Sequence, residues 1–445
     1  MVVPLHAARA FRQAGRPLGI HANTAAKPFA TDAKSDIAEA ARWQWQRAAQ
    51  GLLSQFKRTK VSRAGHDVDH FEFRVCNCCR STSGAQPVLA RTKGGTKAWF
   101  EGLQTCGSVW TCSICAGRIT SERRAVMNQA IAAWKGKGGA AYLLTYTMSH
   151  QRSDDLAAVV KDLRTMRSKL TSHRQYKDAM TYAFAGGAVR ALEVTHGELN
   201  GWHPHTHDIV FAAPGQLATL RAVRKLWVRL LIKHKRAGLE SCLTSTERFA
   251  QIRYLMRHAL TVQDGTYAAE YVAKFGMEPT TEAGGRWGLA SELARGHLKQ
   301  GKRLTGRTPF ALLAQYCAGG EDDKERRQAR EAGMLFRDYA QVFQGQRQLF
   351  WSKGFLKRLG INERDDDAIA ADAAEIEPGE ERENLGMVSL ADWENVLGTN
   401  TRHRLLMVAR DEGKDGVRRF LASLRGRPHT HRSDYDVQRL WTGYH

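Results

Sequence analysis

Gly201-Trp202-His203-Pro204-His205-Thr206-His207-Asp208-Ile209-Val210-Phe211 is the stretch on which the reading of the fold turns. In an extended strand successive side chains alternate sides, so His203, His205 and His207 project together while Thr206, Asp208 and Val210 take the other face. The apolar run Ile209-Val210-Phe211 predicts a half-buried strand whose polar end supplies imidazoles at fixed separation. Two imidazoles at i, i+2 on such a strand are a ready clamp for a metal ion. Surface histidines in a hinge would show the same spacing, so the neighbouring segments decide.

Upstream, after the Gly186-Gly187 break, Ala188 to Thr195 reads as a strand with Val189, Ala191, Glu193 and Thr195 on one face. The turn from Thr195 to Trp202 is short enough to return the chain as a hairpin, which brings the Glu193 carboxylate beside the histidines. Two histidines and a glutamate form a compact facial site for a divalent cation, with positions left open for a phosphate oxygen. Ala141 to Met148 predicts a further, central strand. Helical stripes mark Arg118 to Lys137, Asp154 to Leu170 and Gln216 to Lys235. The last turns Leu220, Val223 and Trp227 inward and Arg221, Arg224, Lys225 and Arg229 outward, and these four basic residues are candidate DNA contacts. Thr266 to Gly276 predicts a short helix with Tyr267, Tyr271, Lys274 and Phe275 on one face. A phenol attacks a phosphodiester well only when its proton is lost and the developing charge is met, which a metal ion and Lys274, one turn from Tyr271, would supply. A tyrosine that merely packs is the plain alternative.

The 445 residues carry a net charge of +22, which points to a polyanionic partner, most simply nucleic acid. No stretch approaches the ~18–20 uninterrupted apolar residues of a membrane span, and no signal core is evident, so the cytoplasm is the expected compartment. No G-x-x-x-x-G-K-[ST] loop occurs, which speaks against an intrinsic ATP-driven helicase. Eight cysteines include Cys76-Asn77-Cys78-Cys79, Cys106 and Cys112-Ser113-Ile114-Cys115. Two Cys-x-x-Cys pairs about thirty residues apart have the spacing of a structural zinc site. Cys76, Cys79, Cys112 and Cys115 are the favoured ligands, over sets that use Cys78 or Cys106.

The chain divides by composition into a basic arm (1–35), a helical and zinc-binding region (36–135), a core (136–280), a helical extension (281–361), an acidic linker (362–384) and a small helical C-terminal region (385–445). An amphipathic helix is expected from Ser35 to Arg63. Residues 310 to 360 read as helical throughout, Leu349, Phe350 and Trp351 included.

Tyr142-Leu-Leu-Thr-Tyr-Thr147, His205-Thr-His207 and Tyr271-Val-Ala-Lys274 resemble, in order, the three motifs of the HUH endonuclease superfamily. Ala191-Leu-Glu-Val-Thr195, Cys106-Gly107 and Trp110-Thr-Cys112 resemble in particular the plasmid replication initiators of the rolling-circle type. The resemblance implies an α+β fold with a ferredoxin-like antiparallel sheet, the histidine strand at its centre, an N-terminal zinc-binding region and a helical C-terminal region. It implies Mg²⁺ or Mn²⁺ on His205, His207 and Glu193, with His203 a neighbour, and Tyr271 as the nucleophile. The expected activity is strand-specific nicking and rejoining of a plasmid origin through a 5′-phosphotyrosine. Expected partners are double-strand origin DNA, displaced single-stranded DNA, a host helicase and DNA polymerase, and a second copy of the chain. A relaxase or transposase of the same superfamily is the nearest alternative, and a non-catalytic zinc-dependent DNA-binding regulator the more distant one. Phe275 stands where two-nucleophile relatives carry a second tyrosine, so the chain resembles the single-tyrosine form.

Overall fold

A computed structural model describes residues 33–61, 67–82, 86–265, 306–372 and 380–426. Helix α1 (Ala33–Leu53) buries Trp45, Ala49, Leu52 and Leu53. It ends ten residues short of the expected Arg63, because Lys57–Val61 leaves the helix to form β1, paired antiparallel with β2 (Asp67–Phe71). Two short strands, β3 (Val88–Thr92) and β4 (Ala98–Glu101), make an antiparallel hairpin. The cysteine segment then leads into α2 (Ser113–Gly136).

Next come β5 (Ala140–Tyr146), α3 (Leu156–Ser172), α4 (Arg174–Tyr182), β6 (Gly187–Gly197), β7 (Gly201–Ala212), α5 (Leu217–Lys233), α6 (Ser245–His258) and β8 (Leu260–Asp264). After residue 305 the chain adds α7 (Pro309–Ala318), α8 (Asp323–Phe343), β9 (Leu349–Trp351), α9 (Phe355–Arg358), α10 (Asp366–Ala371), β10 (Arg382–Met387), α11 (Leu390–Gly398) and α12 (Arg402–Leu424).

The histidine strand β7 is the middle of a five-stranded sheet of order β8-β5-β7-β6-β9, antiparallel at every junction. Strand alternation gives the sheet two unlike faces. On one, Ile209, Phe211, Ala191 and Leu143 pack on Met127, Ala130 and Ile131 of α2 and on Phe355. On the other, Val210, Leu192, Leu144 and Tyr146 pack under α3 and α5, with Trp227 edge-on to Tyr146. Each fully buried side chain of this kind contributes ~1.5–3 kcal/mol. Asp208 is buried on this second face, paired to Arg167 of α3 and to Arg190 Nε at 3.3 Å. The Arg167 guanidinium also lies 3.6 Å from the Tyr146 ring centre. Removing one partner would strand a buried charge at a cost of ~3–5 kcal/mol, so this pair pins β7 to α3.

Two further segments differ from expectation. Leu349-Phe350-Trp351 is a strand, paired to Ala191, Arg190 and Val189, and not a helix: it takes the open edge of β6. Within the acidic stretch, Asp365 caps α10 through the Ala368 amide, and Arg382–Met387 pairs with β3 to finish a three-stranded sheet of order β10-β3-β4. Among the described residues, no helix is long and apolar enough to cross a membrane.

Candidate functional site

The β6–β7 register sets Glu193 opposite His205, with Ala191 opposite His207 and Thr195 opposite His203. All three ligand-bearing side chains therefore stand on the α2 face of the sheet, at the end beyond its apolar packing. Glu193 Oε2 is 3.0 Å from His207 Nε2 and 3.3 Å from His205 Nε2, and the three ligand atoms lie within 4.8 Å of one another. An octahedral cation with bonds of ~2.1 Å sets adjacent ligands ~3 Å apart, so these separations fit. For Nε2 to coordinate, each ring must keep its proton on Nδ1 and find an acceptor there. His207 Nδ1 has Thr145 Oγ1 at 2.9 Å, and His205 Nδ1 has the His203 carbonyl at 3.2 Å. The His207 side chain is buried (2% exposed), whereas Glu193 keeps 26% of its side chain exposed, so the site opens on the glutamate side.

Charge in the cluster follows from this packing. Burial pushes the Glu193 carboxyl upward, but His205 and His207 together outweigh it and hold the group well below the usual carboxylate range. Burial lowers His205, yet the adjacent carboxylate carries it above its ordinary value; for His207 burial prevails and the net shift is downward. His203 is held down to about 3 by burial and by the neighbouring His205 and His150. Its Nδ1 lies 2.6 Å from His150 Nε2, and His150 Nδ1 lies 3.0 Å from the Asn200 carbonyl. His203 thus adjoins the cluster without being one of its three members.

A second candidate centre lies at the start of α2. Cys78, Cys106, Cys112 and Cys115 are all buried, with sulfurs within 4.8 Å of one another. The Sγ separations of 3.7 Å (Cys78–Cys112), 3.6 Å (Cys78–Cys115) and 3.7 Å (Cys106–Cys115) match the ~3.8 Å edge of a tetrahedron with 2.3 Å metal–sulfur bonds. Cys112 caps α2: its Sγ accepts from the Cys115 amide at 3.5 Å and from Gln46 Nε2 at 3.4 Å. The Ser108 amide donates to Cys106 Sγ at 3.4 Å. Burial raises the Cys112 thiol, but hydrogen bonds from the other three thiols pull it well below its ordinary value, as suits a thiolate ligand.

This is not the expected set of four. Cys112 and Cys115 belong to it, but Cys76 and Cys79 give way to Cys78 and Cys106. Cys76 sits in a 3-10 turn with Sγ directed at the Gln50 carbonyl, 3.8 Å away, and burial pushes its thiol up to about 12. Cys79 takes a left-handed backbone (φ 52°), and its Sγ is 3.8 Å from that of Cys78.

The predicted DNA contacts on α5 divide. Arg221 and Lys225 are exposed. Arg224 turns back, donating to the carbonyls of Leu260 (2.7 Å) and Met256 (2.9 Å), and Arg229 bonds Gln175. This helix covers the sheet face opposite the Glu193–His205–His207 cluster. Tyr271 and Lys274 lie outside the described residues. Sequence reasoning missed Thr145 as a support for His207, although both sit on one face of adjacent strands, and it missed His150.

No family model matches the chain, and no solved structure does. It is 30% identical over 382 residues to Protein rep of Streptomyces lividans, an alignment that covers 74% of this chain and 79% of that protein. It is also 34% identical over 147 residues to a neomycin resistance protein of Streptomyces cyanogenus, covering 28% of this chain and 33% of the relative.

Proposed function

The chain belongs to the family of the Streptomyces lividans Rep protein, and from that premise we propose that it initiates rolling-circle replication of a plasmid by nicking one strand of the origin. The five-stranded sheet is, on this reading, an HUH nicking and joining core. The observation that carries it is the Glu193–His205–His207 cluster, in which both histidines have an acceptor at Nδ1 and so can present Nε2. A divalent cation held there, Mg²⁺ or Mn²⁺, would polarise the scissile phosphate. Glu193 and His207 would orient that centre, and the buried Asp208–Arg167 pair behind β7 would hold the strand in place. Tyr271 would attack the phosphorus; the bond to the 3′ oxygen breaks, leaving a 5′-phosphotyrosine and a 3′-hydroxyl for a host polymerase to extend. Lys274 would meet the charge on the phenol. The four-cysteine group would hold a structural zinc ion.

The test is nicking of the supercoiled parent plasmid with and without Mg²⁺, together with recovery of a denaturant-resistant protein–DNA adduct. Tyr271→Phe should abolish both and leave DNA binding intact. An adduct mapped to Tyr267, or full nicking in excess chelator, would sink the assignment. A plasmid carrying only this gene and its origin should replicate, which a relaxase or transposase would not achieve.

A further inference from the structure

Helix α6 packs lightly. Of its 14 residues only Leu255 is buried, while Phe249 is 66% and Tyr254 57% exposed. At 100° per residue, Phe249, Arg253, Arg257, Tyr254 and His258 fall within one half of the helix circumference, with the two arginines between the two aromatic rings. The Tyr254 and His258 rings meet at a tilt of 39° with centres 4.6 Å apart. Among the described residues, neither Arg253 nor Arg257 has a hydrogen-bonding or ionic partner. The one carboxylate on the helix, Glu247, is turned to the amides of Leu243 and Thr244 in the capping box at the far end. Two exposed rings around two uncommitted guanidiniums, in a chain of net charge +22, form a surface for a flat, anionic partner.

The helix is also firmly placed. The Arg224 guanidinium clamps its last turn through Met256 and the start of β8 through Leu260, and the Thr147 amide donates to the Ala259 carbonyl at 3.0 Å. Thr147, the first residue past the end of β5, lies two residues from Thr145, which supports His207. The register Thr261–Thr145–His207 runs across the sheet from the Glu193–His205–His207 cluster to the edge strand beside α6. Arg221 and Lys225 are exposed on α5, the helix whose Arg224 bonds the Met256 carbonyl of α6.

We propose that the outer face of α6 is a stacking platform for single-stranded DNA: Phe249 and Tyr254 stack on unpaired bases while Arg253 and Arg257 take the phosphates. This deepens the nicking reading, and rests on it for the source of the strand. A duplex keeps its bases stacked on each other and would use the arginines alone.

The test is a fluorescence-anisotropy titration of full-length protein with labelled oligo-dT and with a duplex of equal length, in chelator so that nicking plays no part. The paired change Phe249→Ala with Tyr254→Ala should weaken oligo-dT binding by roughly ten- to a hundredfold, leave duplex binding within about twofold, and leave the salt slope unchanged. Arg253→Ala with Arg257→Ala should lower the salt slope on both DNAs. Melting curves check that these exposed changes leave the fold intact. An oligonucleotide bearing 5-iododeoxyuridine should crosslink the unmodified protein at Phe249 or Tyr254, a readout that needs no variant. Unchanged oligo-dT affinity in the aromatic variant, an equal loss on duplex, or crosslinks only elsewhere would overturn the platform. If oligo-dT binds through these rings but supercoiled plasmid is never nicked, the nicking reading falls and the platform stands.

Discussion

The two candidate centres differ in what their ligands leave free. The four cysteines are buried on every side, and their sulfurs are spaced for a tetrahedron with no vacancy. The glutamate and two histidines occupy one end of a sheet, span about one octahedral edge each, and keep the carboxylate side open. A closed thiolate site can only hold chain segments together, while an open oxygen and nitrogen site can admit a substrate oxygen. One helix links the two regions: α2, capped by Cys112 and carrying Cys115 in its first turn, packs under the sheet through Met127, Ala130 and Ile131.

The widest gap should appear on removing single ligands. Cys115→Ser or Cys78→Ser should abolish cooperative thermal unfolding and, checked by elemental analysis, lose the metal proposed for this group, because a structural zinc ion there would contribute ~10–16 kcal/mol against a total stability of ~5–15. Cys76→Ser should retain that metal; its loss would restore the expected set of ligands and break the comparison. Next, His207→Ala should reduce Mg²⁺-dependent nicking by more than about 100-fold while moving the melting temperature little, since its site lies at the edge of the packed core. A large drop in melting temperature would make the histidine cluster structural too. Thr145→Val should then weaken metal affinity by about 10- to 100-fold, measured by Mn²⁺ titration, because His207 Nδ1 loses its acceptor.

The smallest effect concerns acid. His196 is held down to about 4 by burial and by Arg307, whose Nη2 lies 3.3 Å from its Nδ1. Its unfolded value is near 6.5, so between about pH 6.5 and 4 the unfolded chain binds the extra proton and stability falls as pH falls. His196→Gln should flatten that part of the melting-temperature profile, and an unchanged slope would assign it to other groups.

What the sequence made legible follows from short range. Glu193 and His205 are joined by a tight hairpin, so strand alternation alone places them on one face in register. The cysteines were harder because Cys78 and Cys79 are adjacent: the positive φ at Cys79 and the 3-10 turn at Cys76 decide which sulfurs point inward, and no spacing rule encodes either. Leu349-Phe350-Trp351 is too short to express a period of two, and its pairing partner lies about 160 residues earlier. Arg224 matched the outward stripe of α5, but the carbonyls that turn it inward belong to α6 and β8.

The pairing of Met387 with Val88 closes a sheet across about 300 residues. At roughly 5–20 residues per second, a ribosome would deliver β10 some 15–60 seconds after β3. For that interval the edge of β3 is unpaired in the nascent chain, as is the edge of β6 until Leu349 emerges. All four clustered cysteines, by contrast, are in place once residue 115 has been made. A metal captured at that point would give the growing polypeptide its first fixed junction, long before the strands that finish both sheets exist.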